Sequence, residues 1–171
     1  MTATANASVA SMTGTGSGIG RWRVALAGLV VFVLANVGAV IVHGFLLAAD
    51  YDPYEGTLLR RGTEPAWQFV FLPVVHLSFT IGLVWLFRVA RADDDRWVPR
   101  AVKLGVMAWL IGPAPMFLLW YAEQPWPGTI VVKQLPYELA VALALALTAG
   151  AILRPRRESI TVSQTAGSLR R

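Results

Sequence analysis

VALAGLVVFVLANVGAVIVHGFLLA, residues Val24 to Ala48, carries no charged side chain, and at ~1.5 Å of rise per residue it is long enough to cross the ~30 Å hydrocarbon core of a bilayer. A helix apolar on every side has no polar face to offer water, so lipid is its natural solvent. Arg21 and Arg23 precede it as they would precede a secretory signal. The apolar run, however, exceeds the ~7–15 residues of a signal core, so it reads as an uncleaved anchor. Three more stretches of this kind follow, and the expected spans are about 24–48, 66–87, 101–121 and 136–153.

Composition agrees with this reading. The chain of 171 residues is 56% hydrophobic and only 15% charged, with a mean hydropathy of +0.55. Four spans of ~20 residues leave little for a soluble domain. The expected fold class is all-α, a polytopic membrane protein built as a four-transmembrane-helix bundle with disordered N-terminal and C-terminal tails. Residues 1–20 are mostly Ser, Thr, Ala and Gly, which bury too little surface to offset ordering entropy, and read as a disordered cytoplasmic tail. Residues 21–153 form the transmembrane domain, and 154–171 a basic cytoplasmic tail.

The net charge of +5 and pI near 10.2 do not point to nucleic acid, because the basic residues flank apolar segments rather than forming a compact stripe. They report topology. By the positive-inside rule, Arg21 and Arg23, then Arg88, Arg91, Arg96, Arg100 and Lys103, then Arg154, Arg156, Arg157, Arg170 and Arg171 mark three cytoplasmic segments. Of the 15 Lys and Arg residues only Arg60, Arg61 and Lys133 fall on the other side. The expectation is a multi-pass protein of a bacterial cytoplasmic membrane with both termini in the cytoplasm. Trp22, Trp67, Trp97 and Trp126 suit the span edges, since indole rings favour the headgroup region.

Two polar groups stand out. Counting from span edges places Asn36, His76 and Gly112-Pro113-Ala114-Pro115 in one mid-membrane layer. Pro113 and Pro115 donate no backbone hydrogen bond, which frees acceptors near Trp109 and Ile111 and bends the third helix. His76 or Asn36 can satisfy one of them, either as a clasp between helices or as a transport site at a broken helix. The second group gathers at the outer edge, where His43, Asp50 and Tyr51 end the first span, Tyr121 and Glu123 end the third, and Lys133, Tyr137 and Glu138 open the fourth. Pro136 fits a first helical turn, which puts Glu138 where the helix dipole favours a carboxylate, while Thr129 to Val132 reads as a short extended or interfacial segment.

Cofactor signals are weak. The absence of cysteine excludes disulfides and thiolate metal sites, and no H-E-x-x-H, G-x-S-x-G or phosphate-loop pattern occurs. Two histidines invite a haem, but His43 lies ~9 Å and His76 ~15 Å below the outer edge at the helical rise, an offset that joint ligation would need tilt to absorb. No cofactor, metal ligand or catalytic residue is assigned. Packing signals are clearer: Ala142, Ala146 and Gly150 form one small-residue ridge on the fourth helix, and Ala140, Ala144 and Thr148 an adjacent one.

At His43-Gly44-Phe45-Leu46-Leu47-Ala48-Ala49-Asp50-Tyr51, with Gln124-Pro125-Trp126-Pro127-Gly128 and Val132-Lys133-Gln134 later, the chain resembles small bacterial four-span integral membrane proteins of unassigned function. The resemblance covers the spans and not the tails. It implies a fold and no activity, and it draws attention to the surroundings of His43 and Asp50. The leading functional expectation is a non-enzymatic accessory or interaction subunit. Its partners are the lipid bilayer and either other membrane proteins or a homo-oligomer, not nucleic acid. A small transporter or oligomeric channel using the mid-membrane layer is one alternative, and a membrane enzyme or haem- or metal-binding protein the other.

Overall fold

The computed structural model describes residues 20–54, 56–57, 67–90 and 96–154, with the side chains of 67–69 excepted. Of the expected tails, 1–20 and 154–171, all but Gly20 and Arg154 lie outside these residues, as do Glu55, Arg60, Arg61, Glu64 and Arg91. Helix α1 covers Arg21–Ile41 and runs into a π-helical turn, Val42–Leu46. A short α2 follows at Ala48–Tyr51, and then a 3₁₀ turn at Asp52–Tyr54. Helix α3 spans Trp67–Val89, α4 Trp97–Ile111, α5 Pro113–Glu123 and α6 Gly128–Leu153. No strand occurs among the described residues.

Among the described residues, four stretches are long and apolar enough to cross a membrane: Arg21–Leu46, Val70–Val89, Trp97–Glu123 and Gly128–Leu153. Most of their bulky side chains point outward, with Phe45 and Ile111 each 75% exposed. An apolar exterior of this breadth is untenable in water and ordinary in lipid. The protein is therefore an all-α, polytopic membrane protein, a bundle of four membrane-spanning helical segments.

The interior interleaves alanines with Val, Leu and Phe, and the small residues let backbones approach, since helices in lipid associate through close packing rather than through a hydrophobic drive. Ala27, Val31 and Ala35 of α1 meet Leu83, Val84 and Phe87 of α3, Ala101 and Leu104 of α4, and Leu145, Ala146, Ala149 and Leu153 of α6. The tightest approach joins α4 to α6. A Cβ on Gly105 would stand 3.0 Å from the Ala146 Cβ and 3.2 Å from the Ala142 carbonyl oxygen. Gly150 in turn faces Ala101, Phe87 and Trp97. The ridge at Ala142, Ala146 and Gly150 is thus buried inside the bundle, whereas Ala140 and Ala144 of the adjacent ridge are exposed.

The first and last spans are tied at their shared basic end. Arg23 donates from Nη2 to the carbonyls of Ile152 and Arg154, the latter at 2.7 Å. The last carbonyls of a helix have no partner within it and carry partial negative charge, so a guanidinium there both fills acceptors and suits the dipole. The Arg154 guanidinium itself lies 5.9 Å from the Trp97 ring centroid, a cation–π distance.

Two local departures from the sequence expectation matter for the site. The third span breaks at Gly112, with φ −104° and ψ −93°, and Pro113 opens α5 at a position where its missing N–H costs nothing. The bend expected of Pro113 and Pro115 is thus a division into two helices. The last helix begins at Gly128 rather than at Pro136. The proline that starts it is Pro127, with φ −63° and ψ 127°, whose carbonyl accepts from Ile130 at 3.0 Å. Continuing as helix buries Ile130, Val131 and Gln134, which an interfacial strand would leave exposed. Pro136 is carried inside the helix, and Glu138 lies far from the helix start, so the dipole does not account for it.

Candidate functional site

The mid-membrane pair forms as a direct contact. His76 on α3 and Asn36 on α1 meet at 3.0 Å between Nδ1 and Oδ1, and Asn36 Nδ2 donates 2.8 Å to the carbonyl of Phe32, four residues earlier. An amide whose nitrogen already donates to its own helix turns its oxygen outward as an acceptor, so a neutral imidazole carries its proton on Nδ1 toward it. His76 does not reach the carbonyls freed by Pro113 and Pro115, as the sequence led one to expect. Asn36 is the nearer acceptor and offers a side-chain oxygen with no competing helical donor. Trp109, one turn before Pro113, instead donates from Nε1 to the carbonyl of Leu135 at 3.1 Å and joins α4 to α6.

The opposite end from the Arg23 tie holds the richer group. Leu47 N–H donates 2.9 Å to Val42 C=O, five residues back, which closes the π turn around His43 and Gly44. One extra residue in a turn rotates the chain beyond it, and π turns recur where a side chain must be re-aimed. Past that turn, Tyr51 comes back over His43: their rings lie 6.0 Å apart at 19°, and the Tyr51 hydroxyl is 2.9 Å from His43 Nδ1. From α6, Glu138 Oε1 stands 3.2 Å from His43 Nε2.

Charge decides the direction of these bonds. Burial pushes the Tyr51 hydroxyl up to about 12, and the carboxylates of Glu138 and Asp50 add to the rise. Tyr51 therefore keeps its proton near neutral pH and donates it to Nδ1, leaving Nε2–H to donate to Glu138. The three side chains form a relay of donors that ends on a carboxylate.

A second bond borders this relay. Lys133 Nζ donates 2.6 Å to Asp50 Oδ1, pinning α2 to the first turns of α6. Aromatic rings roof the group. Trp126 meets Tyr51 edge-on at 6.3 Å between centroids and stacks on Trp120 at 6.0 Å, while its Nε1 donates 2.7 Å to Gln124 Oε1.

Of the residues singled out from sequence, the structure joins Asn36 with His76, His43 with Glu138, and Asp50 with Lys133. Pro113 heads α5 and has no polar side-chain atom. Tyr121 is exposed and lies across Gly128, its Cε2 3.4 Å from where a Cβ there would stand. Glu123 is exposed at the end of α5 and makes no hydrogen bond or ion pair among the described residues. Among those residues no group of three or more His, Cys, Asp or Glu side chains converges as a metal site would. The π turn and the Trp120–Trp126 stack have no sequence signal beyond the glycine after His43 and the proline-rich loop. Compared with known protein families, curated proteins and solved structures, the chain matches none.

Proposed function

We propose that the protein is a small non-enzymatic subunit of a bacterial cytoplasmic membrane, with both termini in the cytoplasm, that acts through contacts of its helices with a partner helix or a second copy of itself. The observation that carries this reading is the division of α6 into two small-residue ridges. Ala142, Ala146 and Gly150 are consumed by the bundle, while Ala140 and Ala144 stay exposed beside Thr148, whose hydroxyl bonds back to the Ala144 carbonyl at 2.8 Å. Small side chains on an outward face let another backbone approach closely, and van der Waals packing of that kind is what associates helices in lipid. The pairing of His76 with Asn36 supports a clasp between the first two spans, in preference to a transport site at that layer.

The chain has no cysteine, so single cysteines report cleanly. In native membranes Ala144→Cys should cross-link to a neighbouring chain, whereas Ala146→Cys, which is 0% exposed, should not. A protein that cross-links at neither position and purifies alone from its native membrane would refute the proposal. Gln124→Cys should react with an impermeant thiol reagent from outside the cell and Arg154→Cys should not; the reverse pattern would overturn the orientation.

A further inference from the structure

Between the first and second spans lies a groove of about 400 Å³, walled by Gly28 and Phe32 of α1 and by Leu77, Ile81, Val84 and Arg88 of α3. We propose that it seats an acyl chain of an anionic phospholipid whose phosphate is held by Arg88 and Arg21. Shape, access and charge each bear on this assignment. Glycine opens the groove: a Cβ on Gly28 would meet nothing within 4 Å. The groove opens sideways, since Ile81 is 60% and Leu29 62% exposed, so its occupant enters from the hydrocarbon and not from water.

The walls offer almost no polar atoms, which suits an alkyl chain and excludes a sugar or an ion. Thr80 lines the same groove at 2% exposure, with a hydroxyl that has no hydrogen-bond partner among the described residues.

Charge selects the headgroup. Arg88 ends the α3 wall and is exposed, paired with no acid among the described residues. Arg21 precedes Val24, another lining residue, by three positions, which puts both on one face of α1, and it is likewise exposed and unpaired among the described residues. Arg21, which does not itself line the groove, thus belongs to the same end of it as Arg88, and a planar fork of donors matches phosphate oxygens. Trp22 and Trp85, 62% and 60% exposed, sit beside them as interfacial rings do. A zwitterionic lipid would fill the groove but leave this end with excess positive charge.

The test is native mass spectrometry of the purified chain offered phosphatidylglycerol and phosphatidylcholine with identical acyl chains. The wild-type protein should retain phosphatidylglycerol preferentially. Gly28→Leu fills open space and should lower retention of both lipids. Gly82→Leu, where a Cβ also meets nothing within 4 Å but the residue does not line the groove, should retain lipid as the wild type does. Arg21→Gln and Arg88→Gln should keep the chain-binding groove and each cost roughly fivefold in preference for the anionic lipid. Equal retention of the two lipids by the wild type, or unaltered phosphatidylglycerol retention by Gly28→Leu, would overturn the proposal. If Gly28→Leu fails to fold, the arginine variants decide it alone.

Discussion

Gly105→Ala should destabilise the bundle although alanine is the better helix former. The added methyl would stand 3.0 Å from the Ala146 Cβ, 3.2 Å from the Ala142 carbonyl oxygen and 3.3 Å from the Leu143 Cα. Two of these are backbone atoms of a neighbouring helix and cannot rotate aside. Relief requires α4 and α6 to separate, and overpacking of this kind costs ~1–3 kcal/mol. Against it stands a propensity gain of ~1 kcal/mol for replacing glycine within a helix. Gly28→Ala supplies the control, because its Cβ enters open space and the propensity gain is unopposed. The propensity term is common to both variants, so their difference of ~1–3 kcal/mol isolates the packing cost. Gly150→Ala should fall between them: of its close atoms, the Phe87 and Trp97 ring carbons at 3.3 Å can give, whereas the Ala101 Cβ at 3.0 Å moves only with its backbone. The assay is equilibrium unfolding in mixed micelles of increasing sodium dodecyl sulfate, monitored by tryptophan fluorescence. A Gly105→Ala protein as stable as Gly28→Ala would refute the reasoning, and with it the close contact of the two spans.

The polar groups supply two further tests. A double-mutant cycle on Asn36→Ala and His76→Leu should give a coupling of ~0.6–1.7 kcal/mol in the same unfolding assay, with His76→Gln retaining part of it; zero coupling would remove the clasp. In a spectrophotometric titration of the folded protein, one tyrosine should ionise last, at about 12, and Tyr51→Phe should delete that step. Since the folded value lies above the ordinary value near 10, the contribution of Tyr51 to stability is complete below about pH 10 and is lost as pH rises toward the folded value. A titration in which Tyr51→Phe leaves the last step in place would show that the hydroxyl is not held as described.

The spans were legible because length and apolarity are local properties, and a stretch such as Val24 to Ala48 needs no partner to declare itself. Depth along a helix is nearly as local, which is why counting from the span edges brings Asn36 and His76 to one layer, where they meet at 3.0 Å. Helix starts are less secure. Pro136 carries a helix-start signal but does not use it, because the buried run Ile130, Val131 and Gln134 outweighs one missing backbone bond. The same signal conceals the role of Glu138, which looks satisfied by a helix dipole and is in fact held by His43. The relay also depends on the π turn, whose geometry comes from packing. A sequence can place His43, Tyr51 and Glu138 near one edge, but the rotation that brings all three together is not written in their spacing.

The bond from Arg23 to the end of α6 has a consequence for the order of assembly. Its acceptors at Ile152 and Arg154 lie 129 and 131 residues later in the chain. At ~5–20 residues per second of synthesis, roughly 6 to 26 seconds separate the emergence of Arg23 from that of Ile152. Throughout that interval the first span can enter the bilayer and meet the second, yet its guanidinium lacks the carbonyls that will hold it. The first span is latched to the fourth only after the fourth has emerged. A chain truncated just before Ile152 would keep nearly all of its apolar length and lose the latch, so this one arginine distinguishes a completed bundle from one that has merely been inserted.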